Sequence, residues 1–343
     1  MGEVDRRDFL RGAGLVGATA VAPSEVNALA PRDGSIVARE PRERLPQAVG
    51  MLYDSALCIG CKACVTACKA ANEMPAEASP PALRGWNEGT WDAAEELSGR
   101  TKNVIKVYRN GTAEQKDREK DGFAFVKRHC LHCVDPSCVS VCPVAAMNKD
   151  PVSGIVTYDP SACIGCRYCV YACPFGVPQY DFNNPLGKIN KCEMCLHLQK
   201  KGQIPACCDV CPTGASLFGK VTDLSQEIER RVAAAPGSDY AFPRGRLGDN
   251  RPPNQATIPT YVKGVYGEHE VGGTQVRYLA AIPFEKLGLE PLPTQSPAAL
   301  SEGLQHKIYH WFLAPVVAFV GLAWLVRRRT AHQHDEASNT ERG

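Results

Sequence analysis

Hydrophobic residues fall along the chain in short blocks, with one exception near the C-terminus. Ile308 to Val326 is a run of 19 residues without a formal charge, apart from any on His310. As a helix it would span about 28 Å at ~1.5 Å per residue, close to the hydrocarbon thickness of a bilayer. Tyr309 and Trp311 at one end and Trp324 at the other suit interfacial belts, and Arg327, Arg328 and Arg329 follow at once. By the positive-inside rule the arginine end is cytoplasmic, so residues 306–329 read as a membrane anchor and 330–343 as a cytoplasmic tail. A buried core helix is the competing reading, and Pro315 and the polar tail speak against it.

A milder apolar stretch, Gly12 to Ala22, follows Arg6-Arg7-Asp8-Phe9-Leu10-Arg11 and precedes Ala28-Leu29-Ala30. A basic start, an apolar middle and a small-residue end are the parts of an export signal, here residues 1–30 with cleavage after Ala30. The paired arginines match the twin-arginine type, which carries folded, cofactor-loaded chains. A basic amphipathic start to a cytoplasmic domain would leave the order of the three parts unexplained. Signal and anchor together place the body on the periplasmic side of the inner membrane.

Between the ends, the patterns predict small elements. Residues 31–50, rich in Pro, Arg and Glu, are an irregular lead-in. Val104 to Tyr108 alternates like a strand, and Gly154 to Tyr158 is a strand before the turn Asp159-Pro160. Ser225 to Ala234 reads as a helix capped by Ser225, with Glu227 and Glu229 in its first turn. Gln275 to Ile282 reads as a further strand. Residues 72–128, with Trp86 and Trp91, form an insertion within 51–222 that reads as a packing layer and not a site. Residues 223–305 read as a wrapping or linker region, punctuated by Pro and Gly from Pro236 to Pro297.

Charge narrows the function: 39 Lys and Arg against 37 Asp and Glu leave a net +2. There is no basic stripe for nucleic acid, and no phosphate loop, dinucleotide fingerprint or nucleophile–base signature. Glu114 to Asp121 mixes both signs and reads as a solvated loop.

The 17 cysteines change the picture. Sixteen form four sets that each end in C-x3-C: Cys58, Cys61, Cys64, Cys68; Cys130, Cys133, Cys138, Cys142; Cys163, Cys166, Cys169, Cys173; and Cys192, Cys195, Cys207, Cys211. The third set, followed by Pro174, is the C-x2-C-x2-C-x3-C-P run that binds a cubane iron–sulfur cluster in bacterial ferredoxins. The second has two extra residues in its middle, the fourth a longer insertion, and the first ends before Lys69 in place of proline. Gly60 and Gly165 let the backbone approach a cluster closely. In two-cluster ferredoxins the last cysteine of a run ligates the other cluster, so the sets imply pairs. Spacing does not choose the pairs, because the third set stands at ferredoxin distance from both the second and the fourth.

An internal repeat accompanies the spacing. The first and third sets share Cys-Ile-Gly-Cys shortly after Tyr53-Asp54 and Tyr158-Asp159. The second and fourth share Cys-Pro and a small-residue tail, Val144-Ala145-Ala146 and Thr213-Gly214-Ala215. The expected architecture is α+β: duplicated ferredoxin-like domains holding four [4Fe–4S] clusters, with an insertion and one C-terminal transmembrane helix. Metal binding adds folding free energy to such a segment.

Zinc would use C-x2-C pairs with His129 or His132 nearby, but does not call for triplet-plus-one sets ending in Cys-Pro. A disulfide framework suits an exported chain, though not tight C-x2-C spacing. Of the adjacent Cys207 and Cys208, Cys207 keeps the x3 spacing and is the expected ligand, leaving Cys208 a small buried hydrophobe. His132 is expected to shape the surroundings of the second set. Lys62 and Arg167 are expected to be exposed, with charges able to raise cluster potentials. His306 and His310, one turn apart on one helix, cannot take opposite faces of one haem.

The four sets resemble those of the four-cluster ferredoxin-type electron-transfer subunits of membrane oxidoreductases, found with formate dehydrogenase, dimethyl sulfoxide reductase and periplasmic hydrogenase-2. An export signal together with a C-terminal helix makes the hydrogenase-2 subunits the most similar. Gly50-Met51-Leu52-Tyr53-Asp54, His132 to Pro143, Tyr266-Gly267-Glu268 and Gly272 to Val276 carry the likeness further. In formate dehydrogenase the corresponding subunit has an anchor but is carried out by its partner. The resemblance implies that the second set pairs with the third and the first with the fourth. It also implies a non-catalytic relay from the large and small subunits of a nickel–iron hydrogenase to an integral membrane quinone-reactive subunit. The alternatives are the same role beside a formate dehydrogenase or other molybdopterin enzyme, or an exported cysteine-rich metal-binding structural protein.

Overall fold

The computed structural model describes residues 38–77, 94–182, 184 and 187–340. The expected export signal, Trp86 and Trp91, and the side chains of His310, Trp311 and Arg329 lie outside the described residues. Glu40–Ala299 form one unit, and Leu300 onward belongs to another.

The first unit is built on β1 (Val49–Asp54), whose residues alternate between two apolar layers. Leu52 meets Leu217 and Leu279 on one face, while Met51 and Tyr53 join the larger core that contains many of the cysteines. The other strands, in chain order, are β2 (Val104–Arg109), β3 (Gln115–Lys116), β4 (Gly122–Arg128), β5 (Met147–Lys149), β6 (Val156–Tyr158), β7 (Gln179–Tyr180), β8 (Ile189–Asn190), β9 (Ser216–Lys220), β10 (Asp239–Phe242), β11 (Gly245–Arg246), β12 (Asn254–Thr257) and β13 (Val276–Leu279). The main sheet has the order β11-β9-β1-β13. Within it β1 runs antiparallel to β9, with Leu52 opposite Leu217, and parallel to β13, with Tyr53 opposite Tyr278. At Gly50 the backbones come so close that a Cβ would lie 2.0 Å from the Gln275 carbonyl oxygen.

The smaller sheets bracket the cysteine sets. β5, after the second set, pairs with β6, before the third. β9, after the fourth, pairs in the same way with β1, before the first. β2 and β4 lie between the first and second sets, and β7 and β8 between the third and fourth.

Three expectations are corrected. The helix expected from Ser225 starts at Val221 and runs to Ala233, and Ser225 Oγ bonds back to the Val221 carbonyl at 2.7 Å instead of capping. Val221, Leu224 and Ile228 extend the apolar stripe backwards, and burying it against Leu52 and Leu217 outweighs the capping preference of serine. Residues 223–305 do more than wrap the surface, since they supply β11 and β13 to the main sheet. The C-terminal helix exceeds the expected anchor: it runs from Pro297, whose fixed φ suits a first helical position, to Thr340, and contains Pro315. Its segment Pro297–Arg328 is, among the described residues, the one helix long and apolar enough to cross a membrane. Val317 and Phe319 on it are 67% and 72% exposed.

Candidate metal centres

Left-handed residues give the cysteine loops their shape. Gly60 (φ 71°) and Lys62 (φ 57°) curl the first loop, and Gly165 (φ 72°) and Arg167 (φ 64°) curl the third in the same way. Each turn aims a backbone N–H at a sulfur: Gly60 at Cys58 Sγ (3.5 Å) and Gly165 at Cys163 Sγ (3.4 Å). In the fourth set Met194 N–H points to Cys192 Sγ at 3.3 Å. Five residues beyond the last cysteine of the second and fourth sets, Met147 and Ser216 donate to Cys142 Sγ and Cys211 Sγ, each at 3.5 Å. Non-glycine residues at positive φ are costly, and Lys62, His132 (φ 51°), Arg167, Met194 and Cys195 on the cysteine loops are among them.

All 17 cysteines are free thiols, so no disulfide framework is present. They gather in groups of four that cross the sets. Cys58, Cys61 and Cys64 line one cavity together with Cys211. Cys68, the last of the first set, feels the charges of Cys192, Cys207 and Cys195. Cys173 joins Cys130, Cys133 and Cys138. Cys142 joins Cys163, Cys166 and Cys169. Two helix pairs make the exchange possible. Helix α1 (Ala63–Ala71) packs on Ala206–Asp209, and Ser137–Ser140 packs on Tyr168–Ala172. Cys130 also acts on Cys192, which links the second group to the third. Cys61 and Cys166, in the first and last groups of this row, are the exposed thiols.

Burial pushes Cys58 up to about 11 and both Cys64 and Cys138 up to about 12, and the nearness of other thiols adds to the rise. Such thiols do not ionise together unless something positive sits among them. Among the described residues no three His, Cys, Asp or Glu side chains converge closely enough for one metal ion. The all-thiol donor set of each group suits a multi-iron core.

Several polar residues beside the thiols differ from expectation or were not foreseen. Lys62 is buried, not exposed, and donates to the Ala94 carbonyl at 3.1 Å. Arg167 is exposed as expected, and lies 4.8 Å from the Tyr180 ring centre. His132 Nδ1 accepts the Val156 N–H at 3.0 Å, so Nε2 carries the proton, and that buried Nε2 has no partner. Burial, with Lys191 next, lowers the pKa of His132 and keeps it neutral. An orphaned buried donor between Cys130 and Cys133 fits a neighbouring group that supplies acceptors, as cluster sulfides do.

Cys208 is wholly buried. Its nearness, together with Lys127, draws the Cys207 thiol below its usual value, while burial drives Cys208 up. Lys127 belongs to the insertion expected to hold no site. Its Nζ lies 3.2 Å from Ser216 Oγ. Burial opposes its charge, but the Cys207 and Cys64 thiols outweigh burial and raise its pKa. A lysine closing the apolar strand Phe123-Ala124-Phe125-Val126 was the signal available in the sequence. Behind the first loop, Asp54 Oδ1 accepts the Ala56 N–H at 3.1 Å, in the turn that leads to Cys58. Asp54 Oδ2 accepts from buried Arg231 at 3.0 Å, and Arg231 also bonds Glu227 at 2.8 Å.

Comparison with known proteins agrees with this geometry. The family described as the 4Fe-4S dicluster domain matches residues 122–221, which hold the second, third and fourth sets. Over 346 residues the chain is 43% identical to the hydrogenase-2 operon protein HybA of Escherichia coli O157:H7, covering 98% of this chain and 99% of that protein. It is 34% identical over 231 residues to the iron–sulfur subunit of the nitrate-inducible formate dehydrogenase of Escherichia coli K12, covering 67% of each. The formate dehydrogenase likeness is thus both weaker and shorter. The chain belongs to the family of the hydrogenase-2 operon protein HybA, non-catalytic electron-transfer proteins of the iron–sulfur, ferredoxin type.

Proposed function

We propose that the chain is an exported relay carrying electrons from the subunits of a nickel–iron hydrogenase to an integral membrane quinone-reactive subunit through four [4Fe–4S] clusters in a row. The observation that carries this reading is the gathering of sixteen thiols into four groups, each with three from one set and the last from another. The first cluster is held by Cys58, Cys61, Cys64 and Cys211, and the second by Cys192, Cys195, Cys207 and Cys68. Cys130, Cys133, Cys138 and Cys173 hold the third, and Cys163, Cys166, Cys169 and Cys142 the fourth. The matching loop geometry and strand pairs of the two halves support a duplicated two-cluster module.

When bound, each cubane supplies a one-electron couple. The chain's residues supply the rest. Thiolates fix the irons, the N–H groups of Gly60, Gly165, Met194, Met147 and Ser216 donate to ligand sulfurs, and the surrounding core excludes water. The exposure of Cys61 and Cys166 lets partners approach both ends of the row. Export through Arg6-Arg7 and retention by Ile308–Val326 with its three following arginines put this body on the periplasmic face of the inner membrane.

The test is hydrogen-dependent quinone reduction in cells. Arg6→Lys with Arg7→Lys should strand the cluster-loaded chain in the cytoplasm, and truncation before Ile308 should release it as a soluble periplasmic form. Both should abolish quinone reduction while hydrogen oxidation with an artificial dye persists. Dye-linked hydrogen oxidation by this chain purified without partners would contradict the relay.

A further inference from the structure

Lys127 is a buried ammonium whose electrostatic neighbours are sulfurs. Its side chain, 1% exposed at the end of β4, feels Cys207, Cys64 and Cys208, and among the described residues no carboxylate pairs with it. Its Nζ lies 3.2 Å from Ser216 Oγ. The backbone N–H of Ser216 points at Cys211 Sγ of the neighbouring group, at 3.5 Å. One cation thus stands between the first group, through Cys64 and the Ser216 bridge to Cys211, and the second, through Cys207.

Lys191 and Lys149 act on Cys138 and Cys133, but they and Lys62 also donate to backbone carbonyls. Lys191 donates to the carbonyls of Val156 and Cys192. Lys149 donates to those of Cys133 and Gly154 and to the Gln275 side chain, and Lys62 donates to that of Ala94.

We propose that Lys127 is a positioning charge that raises the reduction potentials of the first and second clusters together, leaving the third and fourth unaffected. A cubane with four thiolates is an anion that becomes more negative on reduction, so a fixed ammonium in a dry gap stabilises the reduced form more than the oxidised one. The inference rests on the four-cluster reading above.

The test is an EPR-monitored redox titration of the anaerobically purified full chain. The two clusters are recognised by the signals that Cys211→Ser and Cys68→Ser alter. In Lys127→Gln, which keeps a donor without the charge, their reduced-to-oxidised ratio at fixed ambient potential should fall about tenfold, or about 59 mV for a one-electron couple. The other two clusters should not move, and Lys127→Arg should restore the original ratios. If Lys127→Gln loses iron, Lys127→Met with Ser216→Val fills the gap with apolar volume and carries the same measurement. Unchanged ratios at full iron content, or all four clusters shifting alike, would overturn the proposal. So would iron loss in both neutral variants with recovery in Lys127→Arg, because Lys127 would then serve folding alone. A shortage of iron in the unaltered chain would instead defeat the four-cluster reading.

Discussion

Two adjacent cysteines with opposite electrostatics illustrate what a single residue contributes. Cys208 and Lys127 draw Cys207 below the usual thiol range, whereas burial pushes Cys208 above it. Cys207→Ser should therefore lose or convert one cluster. Cys208→Ser should keep the iron count, because Cys208 is not a ligand on this reading, and should cost ~1 kcal/mol in packing. Iron analysis and EPR of the two variants check this, and the reverse pattern would reassign the ligand. In the sequence the x3 spacing to Cys211 favours Cys207. The contrast between the two thiols is not legible there, because spacing along a chain does not specify side-chain direction. Lys127 was hidden for a related reason, since its partner Ser216 is 89 positions away and only the fold brings them together.

At the level of elements, the loops and nearby strands follow from local sequence, while their pairing does not. Gly60 and Gly165 mark the turns by their identity, and Val104 to Tyr108 alternates visibly. That β1 lies between β9 and β13 depends on burial of Leu52, Leu217 and Leu279, residues drawn from three distant parts of the chain. The same sheet joins the first cysteine set to the fourth. Helix Val221–Ala233 braces this junction through Arg231, whose bonds to Asp54 and Glu227 are fully buried. Arg231→Met leaves two buried carboxylates short of a partner and should cost about 3–5 kcal/mol, read as a lower denaturant midpoint. Because Asp54 caps the turn before Cys58, cluster loss on unfolding should begin with the group of Cys58, Cys61, Cys64 and Cys211. A change below about 1 kcal/mol would show that the buried pairs do not brace the loop.

In the whole molecule, the four thiol groups form a row because neighbouring sets exchange their last cysteines and Cys130 approaches Cys192. A chain of redox centres needs such continuity, whereas a protein that only stores metal does not. The count of sets was visible in the sequence, and the order of the row became readable only from the fold. The most direct measurement is iron and acid-labile sulfide analysis of the anaerobically purified chain, together with EPR of its reduced form. The expected result is four irons and four sulfides per cysteine set, with magnetic interaction between neighbouring cubanes. Two clusters, or stoichiometric zinc in their place, would contradict the four-cluster relay.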